Sequence, residues 1–554
     1  MRIRLPDEEY YTRARPYIIR DPLLLHREGV RRSRGKEARR ANILIVETLA
    51  DILRPTLGPK GMNKLLVDKF GEMAVTNDGA IILDKMEIYH PTAKIFKEIT
   101  KTIEKTVGDG TKTTVILIGE LLKRARGMLE YGLHVGTIIR GYRMAYDLAL
   151  KCLNRIAVAA DFWDRNFLKK LAVNILATRN LGTATEHLAE LVVDAVHSVA
   201  EQRSGKIIID ESNIQVVKKI GGSLTESQLV KGLVLNKKVA HEAMPKSIRN
   251  ARIAVIDMAL KIDKFKHLQP FKQEIVLKDY SMVKSFLEEE EKIVSEMVEK
   301  ILSVGANVVF CRKRIGKTAK SMLAKAGVLA VERLLKQEDI DMVAKATGAA
   351  RVADLDDLRR EDLGIATLVE ERKFGEDKMV VIEGSKNAKM VSIILRGGLE
   401  KQLDEAERAV QDVIRSLIAY AEKPLYVPGG GGTEEALAIA VRKEAMKCPT
   451  KEQVPMYAFA NALESIPKLL ATNSGLDPVE ILTELRAKHF QGENVYGVDS
   501  TERRVVNVIE TGLIEPLAVK EQVLKTCVEV ASMILRIDDI IDRRYAKKHR
   551  GELG

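Results

Sequence analysis

The chain has 554 residues, with 90 Lys and Arg against 78 Asp and Glu, a net charge of +12 and a pI near 9.2. At roughly 150 residues per domain that length predicts three or four domains, and a composition 46% hydrophobic and 30% charged excludes disorder as the main state. A mean hydropathy of −0.10, with every apolar stretch interrupted by charge within about 18 residues, excludes a membrane span.

The first residues, MRIRLPDEEYY, lack the apolar segment of a secretory signal. Cys152, Cys311, Cys448 and Cys527 are far apart and form no CxxC pair, so they read as buried thiols of a reducing compartment. A soluble, cytoplasmic protein is expected. The basic excess is local: residues 1–40 hold twelve Lys or Arg and six acids, residues 541–554 hold five and two, and the rest carries a net of only +3. With one Trp and 5% aromatics, stacking platforms for single strands are scarce, and nucleic acid is not an expected partner.

In chain order, KEARRANILIVETLADIL (36–53) repeats apolar positions at three and four and breaks at Arg54-Pro55, which predicts a helix and its stop. The loop LGPKGMNK follows, then two short β-type segments, Leu65–Asp68 and Ala80–Leu83, on either side of TNDGA. A second helix leads into Gly108-Asp109-Gly110, and a third starts at Thr111. The middle differs: ARIAVIDMAL (251–260), a long helix over 279–302, ANVVFC (306–311), a helix near 315–326 and GVLAVERL (327–334) alternate strand with helix. That alternation predicts an α/β domain inserted into a helical protein. Gly221-Gly222 and Gly397-Gly398 stand at the two edges of the insert, each after a β-type run, and read equally as turns or as hinges. Beyond Gly398 the chain is helical again, through Gly429–Gly432 to the end.

Phosphate motifs separate into false and credible ones. Gly316-Lys317-Thr318 ends like a P-loop, but the first glycine of that motif falls on Cys311. Gly429–Gly432 fails the dinucleotide pattern, because the third glycine falls on Glu434. In GDGTKTT, by contrast, Asp109 sits between two glycines just before a helix start. Free amides and the helix dipole favour phosphate there, with Thr111 and Thr113 as hydroxyl donors and Asp109 as a magnesium ligand. Read singly, GDG, LGPKG and TNDGA are also ordinary turns.

Their joint order carries more. GKEARRANI (35–43), LGPKGMNKLLVD (57–68), TNDGA (76–80), VGDGT (107–111), RGGLEKQLDEAERAVQD (396–412), PGGGGTEEALA (428–438) and FANALESIPKLLATNSGLDP (459–478), closing with YGVDS, GLIEPLAVK and LRIDDII, resemble the group II chaperonins, the family of archaeal thermosome subunits and their eukaryotic cytosolic relatives. The likeness runs from about residue 23 to about residue 541. It implies a multidomain α and α/β chaperonin fold. The mainly helical equatorial domain comes from 1–160 and 419–554, and a small intermediate domain from 161–222 and 379–418. The α/β apical domain spans 223–378, with a helical lid near 261–285. It further implies an ATP-hydrolysing chaperone using ATP/ADP and Mg2+. Such a chain assembles with itself or related subunits into two stacked rings, which bind non-native polypeptide and close a built-in lid on hydrolysis.

Carried over by position, the resemblance implies that Asp109 holds magnesium, with Gly110, Thr111, Lys112 and Thr113 around the phosphates. Leu57, Gly58 and Pro59 match the phosphate- and base-side loop, Gly430 the glycine passing close to the nucleotide, and Glu510 the acid on the ribose. Asp78 and Asp412 match the two carboxylates that orient the attacking water, with Asp412 the better candidate for the base. One departure is Lys112, where the family usually has a second Thr: a lysine could reach a phosphate or perturb the geometry and slow turnover. Client contact is expected on the apical face, where Ile315, Met322 and Leu323 lie among basic residues; a helix packed on the sheet is the plain alternative.

Overall fold

A computed structural model describes residues 31–67, 71, 73–86, 90–179, 181–261, 280–375, 377–384 and 389–542. Both basic tails lie largely outside these residues, as does the expected lid from 262 to 279.

The buried apolar residues fall into three main clusters. The first is drawn from both ends of the chain, from Ile43 to Leu153 and again from Ala419 to Leu535. Its helices include Gly35–Leu53, Thr111–Glu130, Val135–Ile156, Gly432–Ala445 and Leu517–Arg536. The expected helix over 36–53 forms with Ile43, Val46, Leu49 and Leu53 buried, the one-sided spacing its sequence carries. Of the two expected β-segments, the first pairs as Lys64–Val67 with Met73–Thr76, but Ala80–Leu83 is helical. The reason is local: the Asp78 side chain accepts the Ala80 amide at 2.9 Å and so caps a helix, Gly79–Lys85. The two described chain ends meet as antiparallel strands, Arg31–Arg34 with Asp539–Asp542.

The second cluster, Leu233 to Met390, surrounds a seven-stranded mixed sheet. The strand Ser247–Ile256 pairs parallel with Val308–Cys311, and that strand pairs parallel with Leu329–Val331. Along its other edge Ser247–Ile256 continues antiparallel through Gly364–Phe374 and Asp377–Glu383 to Gly232–Leu235. A boundary between residues 378 and 379 would cut the Asp377–Glu383 strand; the chain leaves this sheet only after Glu383. The reason is the apolar run MVVI (379–382), which belongs to this sheet and not to the strand that follows.

The third cluster joins Phe162–Leu224 to Val391–Tyr426. Here the strands on either side of the insert lie parallel, Ile214–Ile220 beside Val391–Gly397, in the register Ile214↔Val391 to Ile220↔Gly397. This register brings the two glycine pairs together, and the Gly221 amide donates to the Gly397 carbonyl at 2.8 Å. Gly221 and Gly222 hold φ of 110° and 77°, whereas Gly397 and Gly398 have no positive φ. The long helix Glu400–Glu422 then runs back against the first cluster.

Candidate ATP-hydrolysis site

Two helix starts meet at one cavity. Thr111–Glu130 follows Gly110 (φ 88°) and Gly432–Ala445 follows Gly431 (φ 75°), and no side chain caps either start. The Gly432 amide donates to the Gly429 carbonyl at 3.0 Å, and the two starts are the positive ends of two helix dipoles. The cavity, of about 160 Å³, is lined by Leu57, Gly58, Pro59, Asp109, Gly110, Lys112, Thr113 and Gly430, eight of the expected nucleotide residues. Thr111 is buried but does not line it. At Gly430 (φ 58°) a Cβ would stand 2.6 Å from the Val498 carbonyl oxygen, so only glycine lets these two chains pass. Asn473 holds the loop before Gly58 by donating to the carbonyls of Arg54 and Leu57, both at 2.9 Å.

Lys112 spans the cavity wall and donates to the Thr56 carbonyl at 3.0 Å. Burial, with the Arg179 charge nearby, lowers its pKa to about 8. Asp109 accepts the Gly110 amide at 2.7 Å. Among the described residues no group of three or more His, Cys, Asp or Glu could hold a metal ion.

Asp78 and Asp412 lie just beyond the cavity and are brought together by a residue the sequence did not single out. Arg179 donates through Nη1 to Asp78 at 2.5 Å and through Nη2 to Asp412. All three are at least nine-tenths buried, at 8%, 2% and 4% exposed. Arg179 directly follows Thr178, which lines the cavity and whose carbonyl accepts the Asn77 side chain at 2.7 Å. The Asp412 helix sits flush on the GDGT loop: a Cβ on Gly108 would come within 2.2 Å of the Asp412 carbonyl oxygen, and Ser416 donates to the Val107 carbonyl at 2.8 Å. Burial disfavours ionised Asp78, but Arg179 outweighs it and holds that carboxyl below its usual range. For Asp412 burial wins, pushing its carboxyl well above the ordinary range against the pull of Arg179.

The expected ribose acid needs correction. Glu510 is exposed, accepts from the Asn507 side chain at 2.7 Å and does not line the cavity. Glu515, five residues on in GLIEP, does line it, and Lys520 reaches both Glu515 at 2.8 Å and Glu434 at 2.6 Å. The helix Val508–Thr511 turns Glu510 outward, whereas the strand Ile514–Pro516 pairs with Leu425–Pro428 at the edge of the glycine loop. Ile315 and Leu323 also need correction: both are buried in the core of the seven-stranded sheet, at 1% and 0% exposed, and Met322 packs partly buried against it. Apolar residues at that spacing face the sheet, and the basic residues between them take the solvent side.

A model of the TCP-1/cpn60 chaperonin family matches residues 49–544. The chain belongs to that family. Thermosome subunit alpha of Archaeoglobus fulgidus is 45% identical over 533 residues, 96% of this chain and 97% of the relative. Thermosome subunit beta of Aeropyrum pernix is 46% identical over 94% of each chain, and the thermosome subunit of Methanopyrus kandleri 45% over 95% of this chain and 96% of its own. As a chaperonin subunit the chain is an ATP-hydrolysing protein-folding chaperone with the chaperonin fold. No helix among the described residues is long and apolar enough to cross a membrane.

Proposed function

We propose that this chaperonin binds ATP with Mg2+ at the two helix starts and hydrolyses it with Asp412 as base, so that the chemistry reports closure of the subunit. One observation carries the reading: Asp412, borne on the segment that returns after the insert, shares Arg179 with Asp78 beside the glycine loops. Thr113, the free amides after Gly110 and the Gly430 turn would hold phosphate, Lys112 would add charge, and Asp109 would hold the cation. Bound there, magnesium would neutralise charge on the phosphate oxygens. Glu515 replaces Glu510 as the acid facing the ribose end.

The two carboxylates divide the work through their environments. Asp78, kept ionised by Arg179, orients the attacking water; Asp412, in its ionised form against the Arg179 guanidinium, accepts the proton as the water oxygen bonds to the γ-phosphorus and the bond to the β–γ bridging oxygen breaks. A cavity of about 160 Å³ is smaller than a usual ligand pocket of roughly 300 Å³ or more, so its walls must part to admit the whole nucleotide. The paired glycines at 221–222 and 397–398, where the inserted sheet leaves and rejoins the third cluster, are a hinge for movement of that sheet.

The cluster built from both chain ends then forms the equatorial domain, the cluster with the parallel strand pair the intermediate domain, and the inserted sheet the apical domain with its lid. Assembly with neighbouring subunits, in two stacked rings around non-native polypeptide, draws support from the paired strands Lys64–Val67 and Met73–Thr76. Their Leu65, Val67, Met73 and Val75 are 56–63% exposed, an apolar edge suited to a neighbouring subunit. Measuring ATP turnover and client refolding by the purified assembly, with and without magnesium, tests the reading. Magnesium-dependent turnover lost in Asp109→Ala supports it, and turnover indifferent to magnesium refutes the metal assignment.

A further inference from the structure

A second cavity, of about 920 Å³, shares no lining residue with the first. Seven of its seventeen lining residues are Lys or Arg, and Glu130 is its one acid. Three of the cations are engaged within the chain. Arg39 donates to the Leu535 carbonyl at 3.1 Å and pairs with Asp538, Arg126 pairs with Glu47 at 3.2 Å, and Arg140 pairs with Glu452 at 2.8 Å. The other four, Lys36, Arg40, Arg143 and Arg536, have no ion-pair partner among the described residues.

The cations are held by separate elements. Lys36 and Arg40 belong to the helix Gly35–Leu53, Arg143 to Val135–Ile156 and Arg536 to the end of Leu517–Arg536. These helices pack into the core of the first cluster, so the charges converge on a fixed concavity and not on a loop. Two helices also begin at the cavity, of 19 and 22 residues, and no side chain caps the first of them. The ends of Thr111–Glu130 and Leu517–Arg536 reach the same cavity, so the helix dipoles offset one another and the positive potential comes from the four unpaired cations. The carbonyl end of Thr111–Glu130, which meets the same cavity, is closed by the amides of Tyr131, Gly132 and Leu133. Like charges gathered on a concave wall repel one another and focus a field of several kT, which a matching counter-charge relieves.

We propose that this cavity binds a compact polyanion bearing several phosphate groups, at a site independent of ATP hydrolysis. Guanidinium groups on three walls suit tetrahedral phosphates presented in different directions, through charge-assisted and bidentate hydrogen bonds. The volume accommodates a triphosphate-sized ion, and the apolar floor of Ile43, Leu133 and Ile139 leaves the cations as the polar contacts.

The test is calorimetric titration of the full-length assembled protein with tripolyphosphate, in the presence and absence of saturating ADP. The expected result is binding that ADP does not displace, that weakens with ionic strength, and that persists in Asp109→Ala. The triple variant Arg40→Gln, Arg143→Gln, Arg536→Gln should lose affinity by at least about tenfold while keeping its ATPase rate. The charge-keeping triple variant with Lys at the same positions should recover part of the loss, which separates charge from folding damage. Complete displacement by ADP, or unchanged affinity in the Gln variant, would overturn the proposal. So would a single-stranded RNA oligonucleotide that binds at these arginines where tripolyphosphate does not.

Discussion

Arg179 and Asp412, 233 residues apart in the chain, are joined by a buried charge-assisted hydrogen bond, and the second arm of the same guanidinium holds Asp78. Removing a cation from between two buried carboxylates leaves uncompensated charge, a loss of about 3–5 kcal/mol. Arg179→Ala is therefore expected to lower the unfolding midpoint, and Asp412→Asn added to it should restore part of the stability. In kinetics Arg179→Ala should lower kcat far more than it raises KM, because the lost contact positions the base and not the nucleotide. Arg179→Lys should not rescue it, since one ammonium cannot reach both carboxylates with a planar fork. Equal changes in kcat and KM, or additive stability effects, would show that the bridge does not act as a unit.

Burial lowers the pKa of Lys112 to about 8. Its charge is present below that pH and lost above it, so kcat/KM for ATP should fall as pH rises through about 8. Lys112→Thr should abolish this limb. A limb that survives the substitution would assign it to another group.

Glu515 and Glu510 offer a direct comparison between cavity and surface. Glu515→Ala removes an acceptor that lines the cavity and a partner of Lys520, and should weaken ATP binding by about tenfold. Glu510→Ala, at an exposed position outside the cavity, should leave binding unchanged. The reverse pattern would restore the ribose role to Glu510.

Glu435 carries a pH-dependent cost. It is 0% exposed, its carboxylate oxygens have no hydrogen-bond partner, and burial with the Glu464 charge raises its pKa from 4.5 to about 7. The unfolded chain releases this proton near 4.5 and the folded chain only near 7, so stability is lost as pH rises between those values. Glu435→Gln should raise the unfolding free energy at pH above 7, by up to about 3 kcal/mol at roughly 1.36 kcal/mol per pH unit, and change little below 4.5. Equal midpoints across the range would contradict the burial cost.

The chain order of glycine loops made most of the lining of the first cavity legible, because Gly110, Gly430 and Asp109 are positions where backbone approach and charge restrict the residue. The inserted sheet was legible from its apolar runs, 251–256 and 308–311 above all. Arg179 was not, because a lone arginine at the end of a helix looks solvated until the fold brings Asp78 and Asp412 to it. Glu510 and Glu515 stand five residues apart, and only the turn at Gly512 (φ 81°) decides which acid faces inward. Ile315 and Leu323 were misread because an apolar face on a basic helix reads alike whether it meets a client or its own sheet.

The most direct test of the central claim is single-turnover hydrolysis by Asp412→Ala in the assembled protein, with bound ATP quantified on the same sample. Asp412 does not line the nucleotide cavity, so ATP should bind as in the wild type, while hydrolysis should slow by about 10²-fold or more, the usual contribution of a positioned general base. Hydrolysis within a few-fold of the wild-type rate would contradict Asp412 as the base and, with it, the coupling of chemistry to subunit closure.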